Sequence, residues 1–324
     1  MVIYHIVVAI QADGNGGARL LQNPIAMVGF LGVPFFFVLS GFILGRLYSS
    51  PKIDVGRFYL KRFLRIYPSY FLILLGLCIV PALSFPRTLG YCFPIFALIQ
   101  SWVPEWSQNL LPPSWSLSCE AFFYLVYPLI FRWILDASKA RSTAIILLSF
   151  VPMALILILN RTAPVGNLVF LPLLHLPSFI LGILFSSFKP IPGKVLYAVI
   201  GCGLFIILAK VLVRDAMPLK VGVAALPFAV LIWALASAKQ PDAKSPLSKA
   251  LIFQGNASYV LYLIHFPILI VLRRAGHLNS VTDGIVAVLV TVLAASLFYF
   301  AIDRPIHMIG TQWMDRKKSA KSAS

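Results

Sequence analysis

Apolar runs of about 17–20 residues recur along almost the whole of this sequence, and a membrane core about 30 Å thick asks for helices of that length. Of its 324 residues, 60% are hydrophobic and 11% are charged. A soluble domain carries about a quarter charged residues, so that class is excluded. The runs fall near 1–12, 27–46, 67–85, 119–135, 142–159, 168–186, 195–213, 219–237, 251–272 and 283–301. The expected fold is an all-α integral membrane protein, a bundle of about ten transmembrane helices. The opening MVIYHIVVAI lacks the basic start and cleavage site of a signal peptide and is read as a short first span. Twelve residues of helix reach only about 18 Å, so this span is expected to be missing its front half.

The formal net charge is +17. Nucleic acid is not the partner expected from it, because the basic residues sit in short connectors between apolar runs. That is how a multispan chain records its orientation. The stretch 89–111 is apolar but broken by Pro94 and Pro104. If it does not cross, 19 of the 27 basic residues fall on one side. They include Arg46 to Arg65, Arg132 to Arg141, Lys239 to Lys249 and the tail after Arg304. Arg273 and Arg274 dissent. The basic side is the cytoplasm, so both termini are expected inside, with a basic cytoplasmic tail at 306–324. The expected location is the plasma membrane, the inner one in a two-membrane cell. Cys78, Cys92, Cys119 and Cys202 have no metal-ligand spacing, and no metal site is expected.

A few polar residues interrupt the apolar runs, and such residues are costly in lipid unless they have a partner or a task. His5 lies in VIYHIVVAI and is the only residue of that helix able to exchange a proton near neutral pH. Glu120 follows WSLSC, with Tyr124 four residues on and so on the same helical face. Ser114, Ser116 or Ser118 is placed to cap that helix, and Glu120 to favour its N-terminal dipole. Glu120 and His5 are expected in the outer half of the bundle, and the basic cluster Lys61, Arg62 and Arg65 on the cytoplasmic side. Arginine forks match phosphate oxygens, so the cluster reads either as an orientation signal or as a phosphate clamp. Gly41 and Gly45 form a G-x-x-x-G near Ser40, a close-packing signature. Tyr262 and His265 share a face of the run 251–272, expected as a cavity wall. His175 reads as structural, and His277 and His307 as loop or surface residues.

VIYH, GVPFFFVLSGFI, YLKRFLRIYPSY, WSLSCEAFFYLVYPLI, HLPSFILGILF, GNASYVLYLIHFPI and DRP occur in this order from residue 2 to residue 305. As a set they resemble the acyltransferase 3 family of integral membrane acyltransferases, nearest to exopolysaccharide and O-antigen O-acetyltransferases. The resemblance implies one transmembrane acyltransferase domain over 1–305. It implies acyl transfer from cytoplasmic acyl-CoA, a substrate rather than a bound cofactor, to a hydroxyl of a glycan or lipid-linked glycan. It matches His5 and Glu120 to the family's catalytic histidine and glutamate, and Lys61, Arg62 and Arg65 to acyl-CoA phosphate contacts. Ser40, Trp115, Ser116, Ser118, Tyr124, Tyr262 and His265 are expected to line the substrate path. Three positions depart from the pattern. The family's arginine about eleven residues before the histidine has no counterpart here, Pro34 replaces a common aspartate, and Lys61 replaces a common arginine. Two other readings stay open: a transporter or flippase of glycan or acylated substrates, and an inactive truncated relative. Oligomeric state is not legible.

Overall fold

The computed structural model describes residues 1–11, 29–48, 53–79, 92–108, 110–148, 151–152, 154–155, 158, 166–189, 195–212, 217–238 and 242–323. It is helical, with no strand among the described residues. The helices are α1 Val2–Gln11, α2 Gly32–Leu47, α3 Val55–Ile79, α4 Cys92–Phe96, α5 Trp115–Leu135, α6 Lys139–Leu148 and α7 Pro172–Ser186. They continue with α8 Val195–Leu212, α9 Met217–Ala236, α10 Pro246–Arg274, α11 Val281–Phe298 and α12 Arg304–Ala323. A single π turn, Tyr299–Asp303, joins the last two.

Six segments among the described residues are long and apolar enough to cross a membrane: Gly29–Leu47, Val55–Ile79, Pro112–Leu135, Leu168–Ser186, Pro246–Arg274 and Val281–Arg316. Val195–Leu204 and Ala224–Ala236 are shorter apolar helices. The expected count of ten is therefore not reached among these residues. Ala12, 27–28, 80–85, most of 149–159 and 213, all within expected spans, lie outside them. The stretch around 89–111 breaks into a five-residue helix and 3-10 turns at Gln100–Trp102 and Pro104–Trp106, none of them long enough to cross.

Two boundaries differ from the sequence reading in a way that matters. The connector expected at 46–65 is largely helix, because α3 begins at Val55, so Arg62 and Arg65 lie two to three turns inside it. α5 begins at Trp115, which puts Glu120 in its second turn. A helix-end dipole fades beyond the first turn, so that role for Glu120 falls away. No serine side chain caps α5. Ser114 Oγ instead accepts from Gln100 Nε2 at 3.2 Å, and Ser116 Oγ donates to Pro113 O at 3.2 Å. His307, expected in a loop or at the surface, lies in α12 with its side chain 25% exposed.

The main core gathers aromatic rings from α2, α3, α5 and α7. Phe123 stacks on Phe179 with centroids 5.0 Å apart, and Tyr127 stacks on Phe58 at 5.2 Å. Tyr127 OH also donates to Leu44 O at 2.9 Å, joining α5 to α2. The G-x-x-x-G is packed as expected. A Cβ on Gly41 would strike the Phe179 carbonyl, one on Gly182 the Val38 carbonyl, and one on Gly45 the Ser186 hydroxyl. α2 and α7 thus touch backbone to backbone, which only glycine allows.

Candidate active site

α2, α3, α5 and α10 enclose a cavity of about 330 Å³. α2 contributes Phe36 and Ser40, α3 contributes Arg62 and Arg65, α5 contributes Ser116, Glu120 and Tyr124, and α10 contributes Asn256, Ser258, Tyr259 and Tyr262. Val33, Phe37, Leu39 and Ile43 supply an apolar wall. A small apolar cleft with a few convergent polar groups is the usual form of a small-molecule site.

Glu120 is the hub of its polar side. Tyr124 OH donates to Glu120 Oε1 at 2.5 Å, and Ser40 Oγ donates to the same oxygen at 3.1 Å. The Ser40 and Tyr124 hydroxyls are 3.2 Å apart. Beside them the Arg62 guanidinium carbon lies 5.6 Å from the Tyr124 ring centroid and 6.0 Å from that of Phe58. Arg62 Nε is buried with no hydrogen-bond partner. The clamp and the carboxyl group, expected on opposite sides of the bundle, therefore share one cavity. The physical reason is the early start of α3, which carries the arginines up to the level of the second and third turns of α5.

Arg65 lies 5.7 Å from the Tyr259 ring centroid. It also faces Asp303 in the π turn, Nη1 to Oδ2 being 3.9 Å. Asp303 Oδ1 accepts from Ser69 Oγ at 2.5 Å, and Oδ2 lies 3.6 Å from His307 Nε2. Asp303 and its neighbours are partners of the site that sequence reasoning did not assign. The available signal was an acid closing an apolar run, in the DRP already quoted. Asn256 was also missed; its short polar side chain faces the cavity from within a span.

The opposite end of the site is held by Tyr262. Its hydroxyl meets Ser116 Oγ at 2.7 Å and donates to Pro113 O at 2.5 Å. Several expected residues are not brought to the cavity. Lys61 does not line it. Trp115 packs against Phe170 and His175 with centroids 5.0 Å away, and Ser118 Oγ accepts from Ser101 N at 3.4 Å. Both hold the broken stretch and α7 against α5. His175 is structural as expected, its Nε2 2.8 Å from Val169 O. His5 and His265 form a separate pair, centroids 5.1 Å apart. His5 does not line the cavity, and no hydrogen bond joins it to Glu120 among the described residues. No three His, Cys, Asp or Glu side chains cluster as metal ligands among the described residues.

Chemically, the cavity offers two guanidinium groups for an anionic or carbonyl oxygen, and a carboxyl group ringed by hydroxyls. Its apolar wall suits a short acyl chain.

The model of a family described as "Acyltransferase domain" matches residues 1–300. The acyltransferase MdmB of Streptomyces mycarofaciens is 31% identical over 296 residues, 82% of this chain and 73% of the relative. The O-acetyltransferase OatA of Staphylococcus aureus strain MRSA252 is 28% identical over 337 residues, 90% of this chain and 55% of the relative. The peptidoglycan O-acetyltransferase OatA of Listeria monocytogenes is 26% identical over 123 residues, 31% of this chain and 19% of the relative. The chain thus spans just over half the length of the staphylococcal relative it matches. No solved structure matches it. With the match running through α1 to α11 and across every residue of the cavity, the chain belongs to the acyltransferase 3 family of integral membrane acyltransferases.

Proposed function

We propose that this acyltransferase moves an acetyl group from acetyl-CoA on the cytoplasmic side to a hydroxyl of a surface polysaccharide or its lipid-linked precursor. It would do so in the plasma membrane, with both termini inside. The observation that carries the reading is the cavity itself, in which Arg62 and Arg65 stand within one apolar-walled space with Glu120, Ser40 and Tyr124. Two of the relatives are O-acetyltransferases, which supports acetyl as the group moved.

In this reading Arg62 and Arg65 hold the donor, forks toward phosphate or the acyl carbonyl. The 330 Å³ space takes the acyl end of the donor and leaves the nucleotide outside it. His5, beside His265 and outside the cavity lining, acts as general base on an acceptor hydroxyl brought up between it and the cavity. The acceptor oxygen bonds to the acyl carbon while its proton passes to His5. The carbon–sulfur bond breaks, and the thiolate takes the proton from His5. Glu120, held by Ser40 and Tyr124, orients the acyl group at the cavity wall and keeps Arg62 facing inward.

The test is ester-linked acetate on the surface glycans of a deletion strain. The strain is complemented with the full gene or with the gene carrying Glu120→Ala, at equal membrane expression. Acetate that returns only with the first supports an acyl-transfer site at Glu120. Acetate restored by both removes Glu120 from the site, and acetate restored by neither removes the acetylation reading. Thiol release from acetyl-CoA by the purified protein tests the donor separately.

A further inference from the structure

We propose that His265 is the positioning residue of His5, holding one ring N–H so that the other nitrogen faces the acceptor hydroxyl. This rests on the reading of His5 as the base.

The tautomer of His265 follows from its partner. Nδ1 lies 2.6 Å from Tyr262 O on its own helix. A carbonyl oxygen only accepts, so Nδ1 carries a hydrogen and, in the neutral ring, Nε2 is a bare acceptor. His265 is 0% exposed, and Nε2 has no hydrogen-bond partner. Leaving a buried acceptor unpaired is destabilising, so a group kept this way calls for a reason. The polar ring beside it is His5, centroids 5.1 Å apart and planes at 59°. A centroid separation of 5.1 Å is of the size that a hydrogen bond between two imidazoles spans, and catalytic hydrogen bonds are often long before substrate binds.

The approach of α1 to α10 is fixed by packing. Ile6 and Ile10 of α1 bury against Leu269 of α10, with Leu278 and Ala287 closing the cluster. A Cβ on Gly284 of α11 would stand 3.1 Å from Ile6, so α11 presses on the same face. Among the described residues no hydrogen bond or ion pair joins Glu120 to His5, and Glu120 Oε1 is engaged by Ser40 and Tyr124. During transfer the acceptor hydroxyl's proton goes to the free nitrogen of His5 as the new carbon–oxygen bond forms. It leaves with the departing thiolate as the carbon–sulfur bond breaks. His265 stays neutral throughout, accepting from the other N–H of His5 and stabilising the imidazolium that forms between the two events.

The experiment measures thiol release from acetyl-CoA, with surface glycan from the deletion strain as acceptor. It uses the full-length protein in lipid nanodiscs. Glutamine carries its amide oxygen out to where Nε2 sits, and asparagine only to where Nδ1 sits. His265→Gln is expected to keep most of the turnover, and His265→Asn to lose at least roughly tenfold in kcat with KM for acetyl-CoA unchanged. His265→Phe, which keeps the ring and removes the acceptor, is expected to match the asparagine variant. Turnover of the asparagine variant equal to or above that of the glutamine variant overturns the proposal, as does a loss carried by KM. His5→Ala in the same assay separates the two ideas. If it turns over like the parent, the base assignment falls. If it is dead while His265→Asn is fully active, only the positioning role falls.

Discussion

Arg65 and Asp303 stand 3.9 Å apart across the junction of α3 and the π turn, and the Asp303 carboxylate is almost fully buried. Ser69 holds one carboxylate oxygen and leaves the other to Arg65 and His307. Arg65 is the exposed member at 36%, so losing Asp303 frees its guanidinium rather than stranding a buried charge. Asp303→Asn should therefore loosen Arg65 and raise KM for acetyl-CoA several-fold, with a smaller change in kcat. Asp303→Glu should recover part of it. Steady-state kinetics of thiol release decides the matter; a pure kcat effect would detach Asp303 from donor binding.

Arg62 should not tolerate lysine. Its planar group lies over the Tyr124 ring and faces the cavity, and an ammonium offers neither the fork nor the stacked plane. Arg62→Lys is expected to weaken acetyl-CoA binding by about tenfold, roughly 1.4 kcal/mol, measured as a Kd or KM. Unchanged affinity would mean that the donor's anionic part docks elsewhere.

Glu120→Gln and Tyr124→Phe test the hydroxyl ring. Glutamine retains an acceptor for Ser40 but changes the charge, and should lower turnover by about a hundredfold if the carboxylate assists transfer. Tyr124→Phe keeps the carboxylate, removes the 2.5 Å bond to it and the 3.2 Å contact with Ser40, and should cost about tenfold. Glycan acetate in complemented cells reads both.

The α2–α7 seam gives a stability prediction with its own control. Gly182→Ala forces a Cβ into the Val38 carbonyl and should destabilise by about 1–3 kcal/mol or more. Gly76→Ala meets nothing within 4 Å and should be neutral or stabilising by up to about 1 kcal/mol. Thermal unfolding in detergent compares them. Equal midpoints would mean that the seam can part without loss.

Features written within one helix were legible in advance. Glu120 and Tyr124 are four apart, Tyr262 and His265 three apart, and Gly41 and Gly45 form a pattern whose packing partner is immaterial to its meaning. Features made between helices were not. Ser40 and Glu120 are 80 residues apart, and nothing in either run names the other. Depth was misread for a physical reason: charge marked 46–65 as connector, although arginine stems can lie along apolar helix surfaces and let the helix start earlier. Asp303 escaped because a π turn shifts the helical register, so counting by 3.6 residues does not show where it points.

The glycine seam has a mechanical consequence. Two helices in backbone contact cannot slide past each other by part of a turn, so Ser40, next to Gly41, is held at one height. The opposite side of the cavity is tied differently. Tyr259 OH donates to Ile66 O, and Tyr262 OH donates to Pro113 O and meets Ser116 Oγ, links made by side-chain hydroxyls. The molecule is a vice with one welded jaw: α2 sets the gauge by backbone contact, and α10 is tied to α3 by side-chain hydroxyl bonds instead.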